Sequence, residues 1–136
     1  MSYTDPAAVA AVTRAIEAEQ AFVYAAGLAA ANLTGRPKRQ AVIELADHQG
    51  RMQAFSAMID PAAAPVPPPA FAPPEPITDA RSARASLAAL NNALVGIDAD
   101  VASFTADDDR AFAIDCAQSC ARAAVQWGAA SQAFPS

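Results

Sequence analysis

The chain is poor in positive charge, in aromatic residues and in long apolar runs. Nine lysines and arginines against fourteen acidic residues leave a net charge of −5, so no basic surface is available to hold phosphates and nucleic acid is not an expected partner. No apolar stretch approaches the ~20 residues that cross a bilayer, so a membrane is not expected either. The opening residues, Met1 to Pro6, lack the basic and apolar regions of a secretory signal. There are only two cysteines, Cys116 and Cys120, placed four apart on one predicted helix. Native disulfides rarely bridge such a step, so nothing points to an oxidising compartment and the expected location is cytoplasmic. The only histidine, His48, falls on a core-facing position. No serine-histidine-acid set can therefore be assembled, and no glycine-rich phosphate loop is present.

What the chain does have is alanine. Hydrophobic residues make up 54% and aromatics only 7% of its 136 positions, an amount of apolar material that suits one domain, residues 1–136, of the all-α class. Thr4-Asp5-Pro6 is a helix start, a capping side chain followed by proline at the first helical position. The first helix is predicted to run to about Leu33, ended by Thr34-Gly35. Its seam is Val9, Val12, Ile16, Glu19, Val23, Ala26, Ala30 and Leu33, apolar except for Glu19. Pro37 opens a second helix after a very short turn, so the two form an antiparallel hairpin. The second seam is Ala41, Leu45, His48, Met52, Phe55 and Ile59; Glu44 falls off it, toward water. Gly50 is a weak point but not a stop.

Eight prolines between Asp60 and Ile77 forbid helix and central strand alike. At ~3.1 Å per residue this crossover, about 60–78, reaches on the order of 55 Å. That exceeds the roughly 35 Å length of the second helix. The crossover can return the chain to the end where that helix began, with Val66, Phe71 and Ile77 pressed onto the bundle. Thr78-Asp79 caps a third helix with the seam Ala83, Leu87, Leu90, Leu94, Ile97, Val101 and Phe104. Thr105 to Asp109 is expected to cap a fourth, whose inner positions are Phe112, Cys116, Cys120, Ala123, Trp127, Ala130 and Phe134. Tyr24 and Trp127 read as core or rim aromatics. Two helical hairpins of roughly 23- to 28-residue helices joined by one long crossover form a four-helix bundle running up, down, down, up, the ferritin-like order.

Counting ~1.5 Å per residue places Glu19, His48, Cys120 and the pair Asn91-Asn92 at a similar mid-height, with Cys116 about a turn lower. Four-helix di-metal proteins build their carboxylate and histidine sites at that level. Glu19 with His48 is the contact expected there.

Several segments carry a family resemblance. Ala18 to Gly27, Asp47-His48-Gln49-Gly50-Arg51, Pro69-Ala70-Phe71, Pro76-Ile77-Thr78-Asp79-Ala80 and Trp127 resemble a small bacterial ferritin-like domain of unassigned function. The wider ferritin-like superfamily implies a di-iron or di-manganese site with a glutamate from each of two helices and Glu-x-x-His from each of the other two. Glu19 and His48 match parts of that pattern. Leu45 stands three residues before His48 and cannot ligate, and the fourth helix offers no Glu-x-x-His. The resemblance thus implies a degenerate site.

The resulting expectation is a non-enzymatic bundle acting as a binding or assembly module, with no cofactor. Its protein or small-molecule partner is unknown. A homodimer through Ala25, Gly27 and Ala29 is one form of assembly. The alternative is a metal-binding or redox protein holding a single Zn, Fe or Mn ion on Glu19, His48 and Cys120 or Cys116.

Overall fold

Asp5 begins the first helix, its side chain accepting a hydrogen bond from the Ala8 amide at 3.2 Å while Pro6 takes the first helical position. In the computed structural model, which describes residues 2–69, 71–73 and 75–129, α1 spans Pro6–Ala31 and α2 spans Gly35–Ser56. α3 spans Ala80–Phe104 and α4 spans Asp107–Gln126. Among the described residues these four helices and one 3₁₀ turn, Pro61–Ala63, are the regular structure, and there is no strand. The protein is an all-α four-helix bundle. No described helix is long and apolar enough to cross a membrane.

Two apolar clusters fix the helix directions. One joins Ala29 and Leu33 at the end of α1, Ala41 early in α2, Ala83 early in α3 and Trp127 just after α4. The other joins Val12, Phe55, Val101 and Ala113, from the opposite ends of the same helices. The helices therefore run up, down, down, up, and the crossover returns the chain along the bundle. Close backbone approach links α1 to α2, α1 to α3 and α3 to α4, helped by an alanine-rich α1 whose small side chains permit it. Between α2 and α4 there is no comparable approach among the described residues, and long side chains span that side instead.

The turns differ from expectation in their details. α2 begins at Gly35, two residues before Pro37, and ends at Ser56 rather than near Ile59. Gly35 has φ +62, the left-handed conformation that glycine adopts without a Cβ penalty. The acidic turn gives α4 three aspartates in its first turn but no side-chain cap. Tyr3 supplies one from the other end of the sequence. Its hydroxyl accepts from the Ala106 amide at 3.1 Å and donates to Asp109 at 2.9 Å. The Asp79 cap of α3 is present as a reciprocal capping box with Ser82.

Along the crossover, Gln20 donates to the Pro65 carbonyl at 3.2 Å, Phe71 meets Tyr24 and Ile77 packs on the upper cluster. Val66 does not press onto the bundle; it is 87% exposed. In an extended chain with about three residues per turn, Pro65, Phe71 and Ile77 share a side, and Val66 is one step off it. Of the face expected to meet a second copy, Ala25 and Ala29 are buried inside the bundle and only Gly27 is exposed, so its alanines are already covered by this chain. Ala70, Pro74, Ala130 and Phe134 lie outside the described residues.

Two glycine substitutions test this backbone with opposite signs. A Cβ at either Gly35 or Gly50 would meet nothing within 4 Å, so only conformation decides. Gly35→Ala should lose about 1–2 kcal/mol through its left-handed φ. Gly50→Ala, in mid-helix, should gain up to about 1 kcal/mol. Urea denaturation of the two variants reads both.

Candidate functional site in the polar core

The two apolar clusters are divided by buried polar side chains on α1, α2 and α3. Glu19 lies between Ile16 of the lower cluster and Phe22 of the upper; His48 lies between Phe55 and Ala41. Asp98 separates Val101 from Leu94 on α3, and on α4 Cys116 belongs to the lower cluster while Cys120 belongs to the upper. Glu19, His48 and Asp98 are all essentially inaccessible to solvent.

The expected Glu19-His48 contact is present: His48 Nδ1 meets Glu19 Oε2. The imidazole is stacked on Phe22, ring centroids 3.6 Å apart and 16° from parallel, which fixes its plane. Burial pushes the Glu19 carboxyl up to about 8, against a smaller opposing pull from Arg51. Burial, joined by the same arginine, pushes His48 down to about 3. Both shifts favour neutral forms, so at neutral pH the pair is an uncharged acid and imidazole sharing one proton rather than an ion pair. Asp98 is likewise pushed up to about 8, by burial first and the Glu19 charge second.

One helical turn above His48, Glu44 is buried too, which corrects the expectation that it faces water. Its Oε1 accepts from Asn91 Nδ2 at 3.0 Å, and its Oε2 from Trp127 Nε1 at 2.7 Å and Gln40 Nε2 at 3.1 Å. This one carboxyl group ties α2 to α3 and to the end of α4. The interior indole N–H thereby finds its acceptor, as a buried tryptophan requires. Asn91, expected at mid-height, belongs to this upper layer, and Asn92 beside it is half-buried.

One turn below His48, Arg51 reaches across to α4. Its Nη1 donates to Cys120 Sγ and its Nη2 to Ser119 Oγ, both at 3.0 Å. Cys120 lies 4.0 Å from Asp98 Oδ2. Both cysteines are free and buried; burial pushes the Cys116 thiol up to about 12 and raises Cys120 as well. Neutral thiols of this kind are poor nucleophiles and poor ligands. Of the four candidate ligands, Glu19 and His48 are in contact, Cys120 is engaged with Arg51, and Cys116 sits in the lower apolar cluster. Among the described residues no three histidine, cysteine or carboxylate side chains converge where one metal ion would sit. Glu19 Oε1, Asn91 Oδ1 and Asp98 Oδ1 are buried without a hydrogen-bond partner.

Sequence reasoning does not find Glu44 and Asp98 as buried residues, nor the half-buried Arg51 beside them. The signal was spacing: Glu44, His48 and Arg51 follow steps of four and three on α2, and Asp98 is seven residues after Asn91 on α3.

Residues 11–136 match the family described as domain of unknown function DUF4439. The fold is similar to the crystal structure of a conserved hypothetical protein, rv2844, from Mycobacterium tuberculosis. That match has 22% identity and a TM-score of 0.84, and it covers 92% of this chain and 97% of the other. No curated protein matches the sequence.

The buried carboxyls give stability a definite pH slope. A carboxyl whose folded value is raised keeps its proton after the unfolded chain has released it, so stability falls as pH climbs toward that value. His48, lowered to about 3, adds stability only as pH rises from there to 6.5. Between pH 6.5 and about 8 the raised Glu19 and Asp98 carboxyls alone act. The unfolding free energy from urea denaturation should fall across this window by on the order of 1 kcal/mol per carboxyl, and Asp98→Asn should reduce the slope. Separately, Glu44→Ala should cost about 2–4 kcal/mol by stranding the Asn91 and Trp127 donors. The emission of the only tryptophan reports the loss directly.

Proposed function

We propose that this chain, which belongs to the DUF4439 family, is a non-enzymatic ferritin-like bundle that works as a binding or assembly module, its di-metal site degenerate. The observation that carries this reading is Arg51. A guanidinium on α2, hydrogen-bonded to Cys120 and Ser119, stands one turn from the Glu19-His48 pair, at the level where ferritin-like proteins hold their ions. Its charge acts on Glu19, Asp98 and both cysteines. A permanent cation among the would-be ligands opposes a divalent ion at the same point.

The donor set does not fit the superfamily's di-metal centre. That centre takes four carboxylates and two histidines, whereas this layer offers Glu19, Asp98 and one histidine whose Nδ1 is already engaged. Assembly with a second copy or another protein would use exposed apolar side chains such as Val42 and Ile43 instead of the buried alanines. The compartment is taken as cytoplasmic.

The second reading, a single Zn, Fe or Mn ion on Glu19, His48 and a cysteine, has one observation in its favour, the unpartnered buried oxygens of Glu19 and Asp98. Elemental analysis of protein purified without chelator separates the two. The first reading expects far less than one ion per chain, with Glu19→Gln changing nothing in the metal content. Stoichiometric metal that disappears in Glu19→Gln would establish the second.

A further inference from the structure

The wide side of the bundle holds a small polar cleft of about 130 Å³ between α2 and α4. Its lining includes Glu44, His48, Arg51, Asn91, Ser119 and Arg122. One of these, Arg51, leaves hydrogen-bonding capacity unused in a place partly withdrawn from water. Arg51 is half-buried, yet its protein partners are a neutral thiol and a hydroxyl. Among the described residues the basic and acidic side chains within 4.0 Å of each other are Arg14 with Asp100 and the uncharged His48-Glu19 pair, so no carboxylate lies within 4.0 Å of Arg51. A cation withdrawn from water without a counter-ion is costly unless something anionic reaches it.

We propose that this cleft binds a small monocarboxylate, its carboxylate on Arg51. The proposal rests on the reading above, that Arg51 is the resident cation of a metal-free core, and gives that module its ligand. Arg51 has three of its five N–H donors uncommitted, enough for a two-pronged grip on a carboxylate. The volume is that of about four water molecules, which limits the ligand to a few heavy atoms. Formal charge on the lining is balanced, Arg51 and Arg122 against Glu44 and Asp47. A monocarboxylate or a zwitterion is therefore favoured over a multiply charged phosphate.

The test uses the full chain, chelator-treated so that any metal is removed, at low ionic strength. L-lactate, L-serine, inorganic phosphate, chloride and glycerol are titrated while amide and arginine side-chain NMR signals and calorimetric heats are followed. Lactate or serine should give saturable shifts at Arg51 Nε–H and at the Ser119 and Ala123 amides, and glycerol none. Arg51→Met should weaken binding at least about tenfold. Ala123→Leu, which fills the cleft but leaves every polar partner in place, should abolish it; this variant decides the matter if Arg51→Met does not fold. No saturable shift with either carboxylate up to about 50 mM overturns the proposal. So do equal or tighter binding of phosphate or chloride, and undiminished binding by Ala123→Leu. Metal content, measured before chelation, tests the underlying reading independently.

Discussion

Glu19 and His48 meet near the middle of the bundle, both essentially inaccessible to solvent, and much of the core's arrangement follows from that contact. An isolated carboxylate or imidazolium there would be prohibitively costly. Facing each other, with burial pushing the acid up and the base down, they form an uncharged pair held by one shared proton. The stack of His48 on Phe22 keeps the pair in register. The apolar core then divides around it, with one cluster on each side. Such a contact gives little net stability over an apolar substitute, but it aligns α1 against α2, because slipping either helix by a turn would strand both groups.

Arg51 complicates this arrangement. It is the charge that the neutral pair does not cancel, and it sits on the α2–α4 side, where the helices make no close backbone approach among the described residues. Its long side chain bridges a gap that alanine could not fill, which also explains why polar residues gather on that side. In the layer above, Glu44 does the same job with opposite charge, its two oxygens receiving donors from Asn91, Gln40 and Trp127. The α2–α4 side is thus held by hydrogen bonds, and the other three sides by close apolar packing.

The fold was legible because its signals are local and apolar. Asp5-Pro6 and Asp79 mark starts, the proline run marks the crossover, and seams on α1 and α3 name the inward faces. Glu19 and His48 stood out as exceptions on those seams. The rest of the site was harder to see for a physical reason. α2 buries little apolar surface, essentially Ala41 and Phe55, with Leu45 and Met52 half-buried against the two clusters, so a seam of mostly apolar residues passed over Glu44 and Arg51. When a helix turns polar side chains inward, hydropathy points away from the core. Arg51 and Glu44 are invisible to that criterion, and only their spacing with His48 betrays them. Asp98 was hidden by Ile97, the apolar neighbour that a hydropathy seam selects in its place.

Tyr3 carries a consequence for how the chain folds. The start of α4 is secured by a hydroxyl more than a hundred residues earlier in sequence, and the same tyrosine's amide binds the Met58 carbonyl at the end of α2. Such a clasp closes only after both hairpins and the crossover between them are in place. It therefore contributes to the finished bundle and not to the early, locally formed hairpins, and loop-closure entropy postpones it. Interactions made this late tend to slow unfolding more than they speed folding. The clasp works as a latch on the native state, at the end of the molecule farthest from the short α1–α2 turn.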